Sequence, residues 1–436
     1  MSTRVARGSG RSGAGRGSHA RGGVAERFAH VRSATDALTV GLSAEDFVVQ
    51  SMEDVSPTKW HLAHTSWFWE AFVLGPHLDD YKPFHPDYHY LFNSYYVQAG
   101  ERHCRAQRGY LSRPTVHEVR EYRAHVDRAM ARLLTREADD TRSRELSALI
   151  VIGLNHEQQH QELILTDLKH VFSVNPLRPV YRPSREATPV APVPSMEWVP
   201  FEGGIQTVGH GGPGFHFDNE GPAHRRFLEP FALASRLVTN GEYLEFIEDG
   251  GYARATLWMS AGWANREADG WSEPFYWERR DGEWWTFTLS GMRRVDPSEP
   301  VCHLTWFEAD AFARWAGARL PREDEWEVAA GGLPVEGNFV ESGRFHPAPV
   351  GATSRGLSQM FGDVWEWTSS AYSAYPGYRP EEGAIGEYNG KFMCGQFVLK
   401  GGSCATPVSH VRHTYRNFFA PESAWQFTGL RLARDP

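Results

Sequence analysis

His156 and His160 stand four residues apart in the stretch Gly153-Leu154-Asn155-His156-Glu157-Gln158-Gln159-His160-Gln161-Glu162-Leu163. On a helix that spacing sets two side chains one above the other on the same face, where two imidazoles can grip one cation. Leu149, Ile152, Leu163 and Ile164 recur around them at three- and four-residue steps, which predicts a helix whose histidine face looks inward. The same letters satisfy the H-E-x-x-H pattern of zinc peptidases, in which Glu157 would be the general base. Two histidines that merely share a face are a third reading, and only further ligands can decide.

A third histidine lies upstream. Ser56-Pro57 reads as a helix start, Ser56 as N-cap and Pro57 at the first helical position. Trp60, His64, Trp67, Phe68 and Ala71 then share one face, with His61 off its centre. In all, four helices are expected within 24–175: residues 25–42, the one opened by Ser56, residues 114–134 with Thr115 and Glu118 as start signals, and the one carrying His156 and His160. Ligands projecting inward from two helices of such a bundle are a known way to build a metal site. Between the second and third helices, residues 76–113 form an irregular stretch holding Asn93-Ser94-Tyr95-Tyr96, Arg102, Arg105 and Arg108. A connection of that length is functional or disordered, and its aromatic content argues against disorder. It is expected to line a pocket, the alternative being a cover over the end of the bundle.

The 436-residue chain is long enough for two domains. Its net charge of -9 argues against wholesale nucleic-acid binding, and no apolar run is long enough to cross a bilayer. Four cysteines, none in a C-x-x-C pair, are too few for a disulfide scaffold, so a reducing cytoplasmic setting is expected. Residues 1–23, rich in Arg, Gly and Ser, have little to bury and are expected to be a flexible tail without the apolar core of a secretion signal. Residues 176–200 are a proline-rich linker. Residues 201–436 are rich in Gly and Trp, with short strand patterns and helical patterns at 240–249, 306–317 and 322–330, an α+β composition.

Thr305-Trp306-Phe307-Glu308-Ala309-Asp310-Ala311, Arg319-Leu320-Pro321-Arg322-Glu323-Asp324-Glu325-Trp326-Glu327, Gly362-Asp363-Val364-Trp365-Glu366-Trp367-Thr368, Lys400-Gly401-Gly402-Ser403 and Gly429-Leu430-Arg431 follow one another in that order. The set resembles the formylglycine-generating-enzyme-like domain, a C-type-lectin-like fold. Ser56-Pro57-Thr58-Lys59-Trp60-His61-Leu62-Ala63-His64 together with the His156/His160 helix resembles the DinB-type four-helix domain. The pairing is similar to the sulfoxide synthases of ergothioneine biosynthesis. The expected fold is therefore multidomain, an α bundle followed by an α+β domain.

That resemblance implies a mononuclear iron(II) held by His64, His156 and His160. Three neutral imidazoles suit iron(II) and leave positions open, although zinc would accept them too; Glu157 is then no base. The implied reaction joins the sulfur of a cysteine-type thiol to the imidazole carbon between the two nitrogens of hercynine, the trimethylated betaine of histidine, with dioxygen giving a sulfoxide. Tyr95 and Tyr96 are the implied proton donors, and the sequence does not separate them. Gln159 is placed to hydrogen-bond the hercynine imidazole. Asn417, Phe418 and Phe419 fall where the family binds substrate, and aromatic faces suit a quaternary ammonium.

Members that take γ-glutamylcysteine carry an acid and a nearby arginine where this chain has Phe419 and Ser423. Free cysteine is therefore the expected donor, its carboxylate met by Arg105 and Arg108. The paired C-terminal cysteines of formylglycine-generating enzymes are missing, Cys404 being alone in 401–431, so this domain is expected to wall the metal rather than oxidise. Two competing readings keep the same ligands: a related synthase using another acceptor or donor, such as histidine or a selenium compound, and a non-catalytic metal-binding module.

Overall fold

The computed structural model describes residues 14–135, 140–183, 192–351 and 356–436. Four principal helices build the first half: α1 (Ala14–Leu38), α2 (Thr58–Phe68), α3 (Val116–Thr135) and α4 (Asp140–Val174). α1 begins well upstream of the expected residue 25, so much of the stretch read as a flexible tail is helical backbone. Residues 1–13 lie outside the described residues. Ser56 is not the N-cap of α2: Pro57 occupies that position and α2 starts at Thr58, because Asp167 accepts the Ser56 N–H at 2.8 Å and Arg108 donates to its hydroxyl oxygen at 2.9 Å. The start of α3 is as the sequence signals it, Thr115 and Glu118 bonding each other reciprocally.

α4 is the axis of the molecule. Glu157 on its bundle side accepts from Thr35 at 2.7 Å, Trp69 at 3.1 Å, Arg123 at 2.8 Å and Arg32 at 3.1 Å. Burial would raise this carboxyl, but the Arg32 and Arg123 guanidiniums outweigh it and hold Glu157 well below the usual carboxylate range. α2 runs on into a π-helical segment, Trp69–Leu74. Trp69 and Phe68 crowd α4 at Gly153, where a Cβ would lie 2.5 Å from the Trp69 ring.

The second half carries β1 (Trp198–Phe201), β2 (Gly204–Val208), β3 (His224–Leu228), β4 (Phe231–Ala234), β5 (Trp277–Arg280), β6 (Glu283–Thr288), β7 (Gly291–Arg294), β8 (Trp365–Ala371), β9 (Phe397–Lys400), β10 (Asn417–Phe419), β11 (Thr428–Gly429) and β12 (Ala433–Arg434). They form small sheets: β1-β4-β12, β2-β3, β5-β6-β7 and β10-β9-β8-β11. β1 starts at Trp198, inside the expected linker, because its edge is paired with β4. Residues 184–191 of that linker lie outside the described residues. Helices α5 (Asn240–Glu248), α6 (Ser260–Asp269), α7 (Trp306–Trp315) and α8 (Glu323–Ala330) complete the domain.

The quoted motifs mostly hold this domain together. Thr305 and Glu308 cap α7, Arg319 forks onto Glu325 at 2.8 Å, and buried Arg431 meets Glu366 at 3.0 Å. The two halves join along α4: Glu162 accepts from Trp365 at 2.8 Å, Ser403 at 2.5 Å and Thr406 at 2.6 Å. Gln158 donates to Ser409 at 2.6 Å. Among the described residues no helix is long and apolar enough to cross a membrane.

Candidate functional site

His64 of α2 and His156 and His160 of α4 converge. Among the described residues they form the one group of three ligand-type side chains whose donor atoms all lie within 4.8 Å of one another. His64 Nε2 and His156 Nε2 are 3.1 Å apart. The bundle packs the aromatic stripe of α2 around them: Trp60 stacks on His64 at 4.6 Å and Phe68 on His156 at 4.6 Å between ring centroids. Burial depresses all three imidazoles, His156 to about 3 and His64 and His160 well below the ordinary value, with neighbouring imidazoles adding to the last two. At neutral pH each therefore offers an uncharged ring with a lone pair.

The remaining ring nitrogens are held unequally. His64 Nδ1 lies 2.6 Å from the Phe92 carbonyl, an acceptor only, which puts the proton on Nδ1 and leaves Nε2 free. His156 Nδ1 is buried without a partner. His160 Nδ1 meets His61 Nδ1 at 2.8 Å. Three neutral nitrogen donors with no carboxylate among them fit a first-row divalent cation. Glu157 cannot serve as a peptidase base, because it is fully buried and committed to the bundle.

A cavity of about 480 Å³ opens beside the triad, at the seam between the halves. That size suits one or two small metabolites. His160, Tyr95, Arg105, Arg108, Gln159, Asn417, Phe418 and Phe419 line it, as do Ser423 and Tyr388. Tyr96 does not: it lies fully buried behind Tyr95, rings 4.8 Å apart, its hydroxyl without a hydrogen-bond partner. Burial raises both phenols, so each keeps its proton at neutral pH.

Gln159 donates to the Tyr415 hydroxyl at 2.7 Å. The amide oxygen of Asn417 accepts the backbone N–H of Phe418 at 2.9 Å. Phe418 stacks on Tyr372 at 4.1 Å, and Phe419 sits edge-on to Trp425 at 5.7 Å. Arg105 is spent partly on the Asp54 carbonyl. Arg108 is the less committed of the two: it is buried, lies 3.4 Å over the Trp60 ring, and among the described residues bonds only the hydroxyls of Ser56 at 2.9 Å and Ser94 at 3.1 Å. Its Nε has no partner. Burial, with Arg105 close by, pushes this guanidinium down to about 9, the mark of a buried charge awaiting an anion.

Comparison with known proteins places both halves. Residues 27–164 match the DinB superfamily and residues 183–436 the sulfatase-modifying factor enzyme 1-like domain. The hercynine oxygenase of Mycolicibacterium smegmatis is 34% identical over 415 residues, spanning 87% of this chain and 91% of that protein. The chain belongs to the hercynine oxygenase family. The hercynine oxygenase of Mycolicibacterium thermoresistibile is 33% identical over 422 residues, spanning 87% and 88%. A formylglycine-generating enzyme of Streptomyces coelicolor is 30% identical over 268 residues, spanning 51% of this chain and 84% of that protein.

In this hercynine oxygenase relative Cys404 and Cys302 are buried in the core and do not reach the cavity, and Cys104 and Cys394 are exposed. Sequence reasoning missed three residues. Tyr388 lines the cavity between His156, 5.8 Å away, and Tyr95, 6.1 Å away by ring centroids. It sits in a loop with no periodic pattern and gave no signal. His61 and Asp167 had one: they lie three residues before His64 and seven after His160, both helical spacings that return to the ligand face.

Proposed function

We propose that this chain is an iron(II)-dependent sulfoxide synthase that joins the sulfur of cysteine to the imidazole of hercynine with dioxygen. The observation that carries the reading is the juxtaposition of three neutral, buried imidazoles with a cavity lined by a deeply buried cation, Arg108, that forms no ion pair with a carboxylate among the described residues, unlike Arg416, which is paired with Glu323. His64, His156 and His160 would hold the metal, which when bound supplies dioxygen activation and accepts electrons. The protein's own part is to place two small molecules against one another.

Arg108 holds the cysteine carboxylate, with Arg105 at the rim, and the stacking of Arg108 on Trp60 fixes its direction. Phe419 and Ser423 line the same cavity and offer no ion pair for a γ-glutamyl group, which favours free cysteine. Gln159, held by Tyr415, orients the hercynine imidazole. Phe418, Phe419 and their aromatic neighbours face its quaternary ammonium, which has no proton to donate. Asn417 has its amide nitrogen left for a substrate. Tyr95 is the proton donor at the cavity face, and Tyr96 packs it from behind.

The test is dioxygen uptake by the full chain loaded with iron(II) or with zinc, given hercynine or histidine and cysteine. Uptake is expected only where iron, hercynine and cysteine are combined. Uptake only with histidine would reject the acceptor, and none with any pair would reject catalysis in favour of a metal-binding module.

A further inference from the structure

The three imidazoles of the triad are not equally supported. His64 gives its Nδ1 proton to a neutral backbone carbonyl and His156 Nδ1 has no partner. Behind His160 lies a fourth histidine and then a carboxylate: His160 Nδ1 to His61 Nδ1 is 2.8 Å, and His61 Nε2 to Asp167 Oδ2 is 2.9 Å. All three side chains are at least nine-tenths buried. The same Asp167 oxygen accepts the Ser56 backbone N–H at 2.8 Å, a group that can only donate, so this oxygen is acting as an acceptor. With both imidazoles neutral, one proton assignment satisfies every contact. His61 carries its proton on Nε2, toward Asp167, and presents the lone pair of Nδ1; His160 carries its proton on Nδ1, donates it to His61, and has Nε2 left as its ligating atom.

We infer that His61 and Asp167 are positioning residues of the metal centre, a carboxylate–imidazole relay that fixes the tautomer of His160 and makes it the most electron-rich of the three ligands. The inference rests on His160 being a ligand, as proposed above. A hydrogen bond from the far nitrogen of a ligating imidazole to an anionic chain raises its basicity and favours the more highly charged state of the ion. The position of the relay has a consequence for the cavity. Of the three ligands only His160 lines it, together with His61 and Asp167, so the ligand with anionic backing is the one that faces the cavity.

The experiment is chelator competition for iron(II), together with the midpoint potential of the bound ion and the melting temperature of the metal-free protein. It is run on the full chain and on Asp167→Asn, His61→Ala, their double variant and His156→Ala. The relay predicts iron(II) affinity weakened about 10–100-fold in each of the first two, a potential shifted to more positive values, and a double variant no worse than the weaker single. If His61→Ala does not fold, His61→Asn, which keeps an acceptor where Nδ1 stood but cannot reach Asp167, should show the same shift. Asp167→Asn and His61→Ala with lowered melting temperature but unchanged affinity and potential would reduce the pair to packing and overturn the inference. Iron binding that survives His156→Ala would instead reject the triad itself, a separate failure.

Discussion

Arg108 is the residue that most directly links the structure to a substrate. A buried guanidinium left with two hydroxyls is destabilised until an anion arrives, and a hydrogen bond to a charged group is worth about 1.5–3 kcal/mol. Arg108→Gln is therefore expected to raise the KM for cysteine by about 10–100-fold, with the KM for hercynine unchanged in steady-state kinetics; equal effects on both would contradict the assignment. The two tyrosines should separate cleanly. Tyr95→Phe is expected to lower kcat by about 10²–10⁴-fold, the range of general acid catalysis. Tyr96→Phe, which removes a hydroxyl without a partner, should leave kcat close to normal. At this scale the sequence was most legible where spacing carried the signal: His64, His156 and His160 each lie on a helical stripe. Tyr95 and Tyr96 are adjacent on an irregular loop, where no period says which ring faces inward, so only coordinates separate them. His61 was passed over because it lies off the centre of the stripe, although the turn from His61 to His64 brings both to the triad.

Two elements set the geometry around these residues, α4 and the loop of Tyr95. On α4, Gly153 admits Trp69 and Phe68, and Gly153→Ala is expected to destabilise the protein by about 1–3 kcal/mol through overpacking, read as a lower midpoint in urea unfolding. The tyrosine loop is clamped to the second domain by Glu387, which accepts the backbone N–H groups of Val97 at 3.0 Å and Gln98 at 2.7 Å, and by Lys391, which pairs with Glu387 at 2.9 Å. Glu387→Ala releases the loop that aims Tyr95. It is expected to lower kcat on the order of 10–10²-fold while iron affinity stays the same, because no metal ligand touches the clamp. Start signals and the spacing of aromatic and histidine residues made the helices of the bundle readable. α6 was not, since Ser260–Asp269 is polar on average and has Trp263 as its only large apolar side chain, and the shift of the α2 cap away from Ser56 depends on Asp167, more than a hundred residues later in the chain.

For the molecule as a whole, burying three neutral imidazoles ties stability to pH. In the unfolded chain a histidine titrates near 6.5, whereas burial holds folded His156 at about 3. Between those values the unfolded state binds the extra proton, so the contribution of His156 is complete above pH 6.5 and is lost as the pH falls toward 3. Glu308, raised by burial to about 7, and Asp363, raised by burial to about 6, work in the opposite sense, so the effect is isolated by comparison. The stability of the metal-free protein relative to His156→Gln should fall by about 1.4 kcal/mol per pH unit on acidification below 6.5. A difference independent of pH would contradict a buried, uncharged His156.

The two-domain architecture was legible because each half carries ordered motifs. The cavity was not, since it exists only where residues of α4, the tyrosine loop and the Asn417–Phe419 strand meet, and no stretch of sequence holds that seam. Its central claim is tested most directly by the mass of the product when iron-loaded protein is given hercynine with equal cysteine and γ-glutamylcysteine under dioxygen. The account predicts the sulfoxide of the cysteine–hercynine adduct in excess. A product that carries the γ-glutamyl group, or no new carbon–sulfur bond, would contradict it.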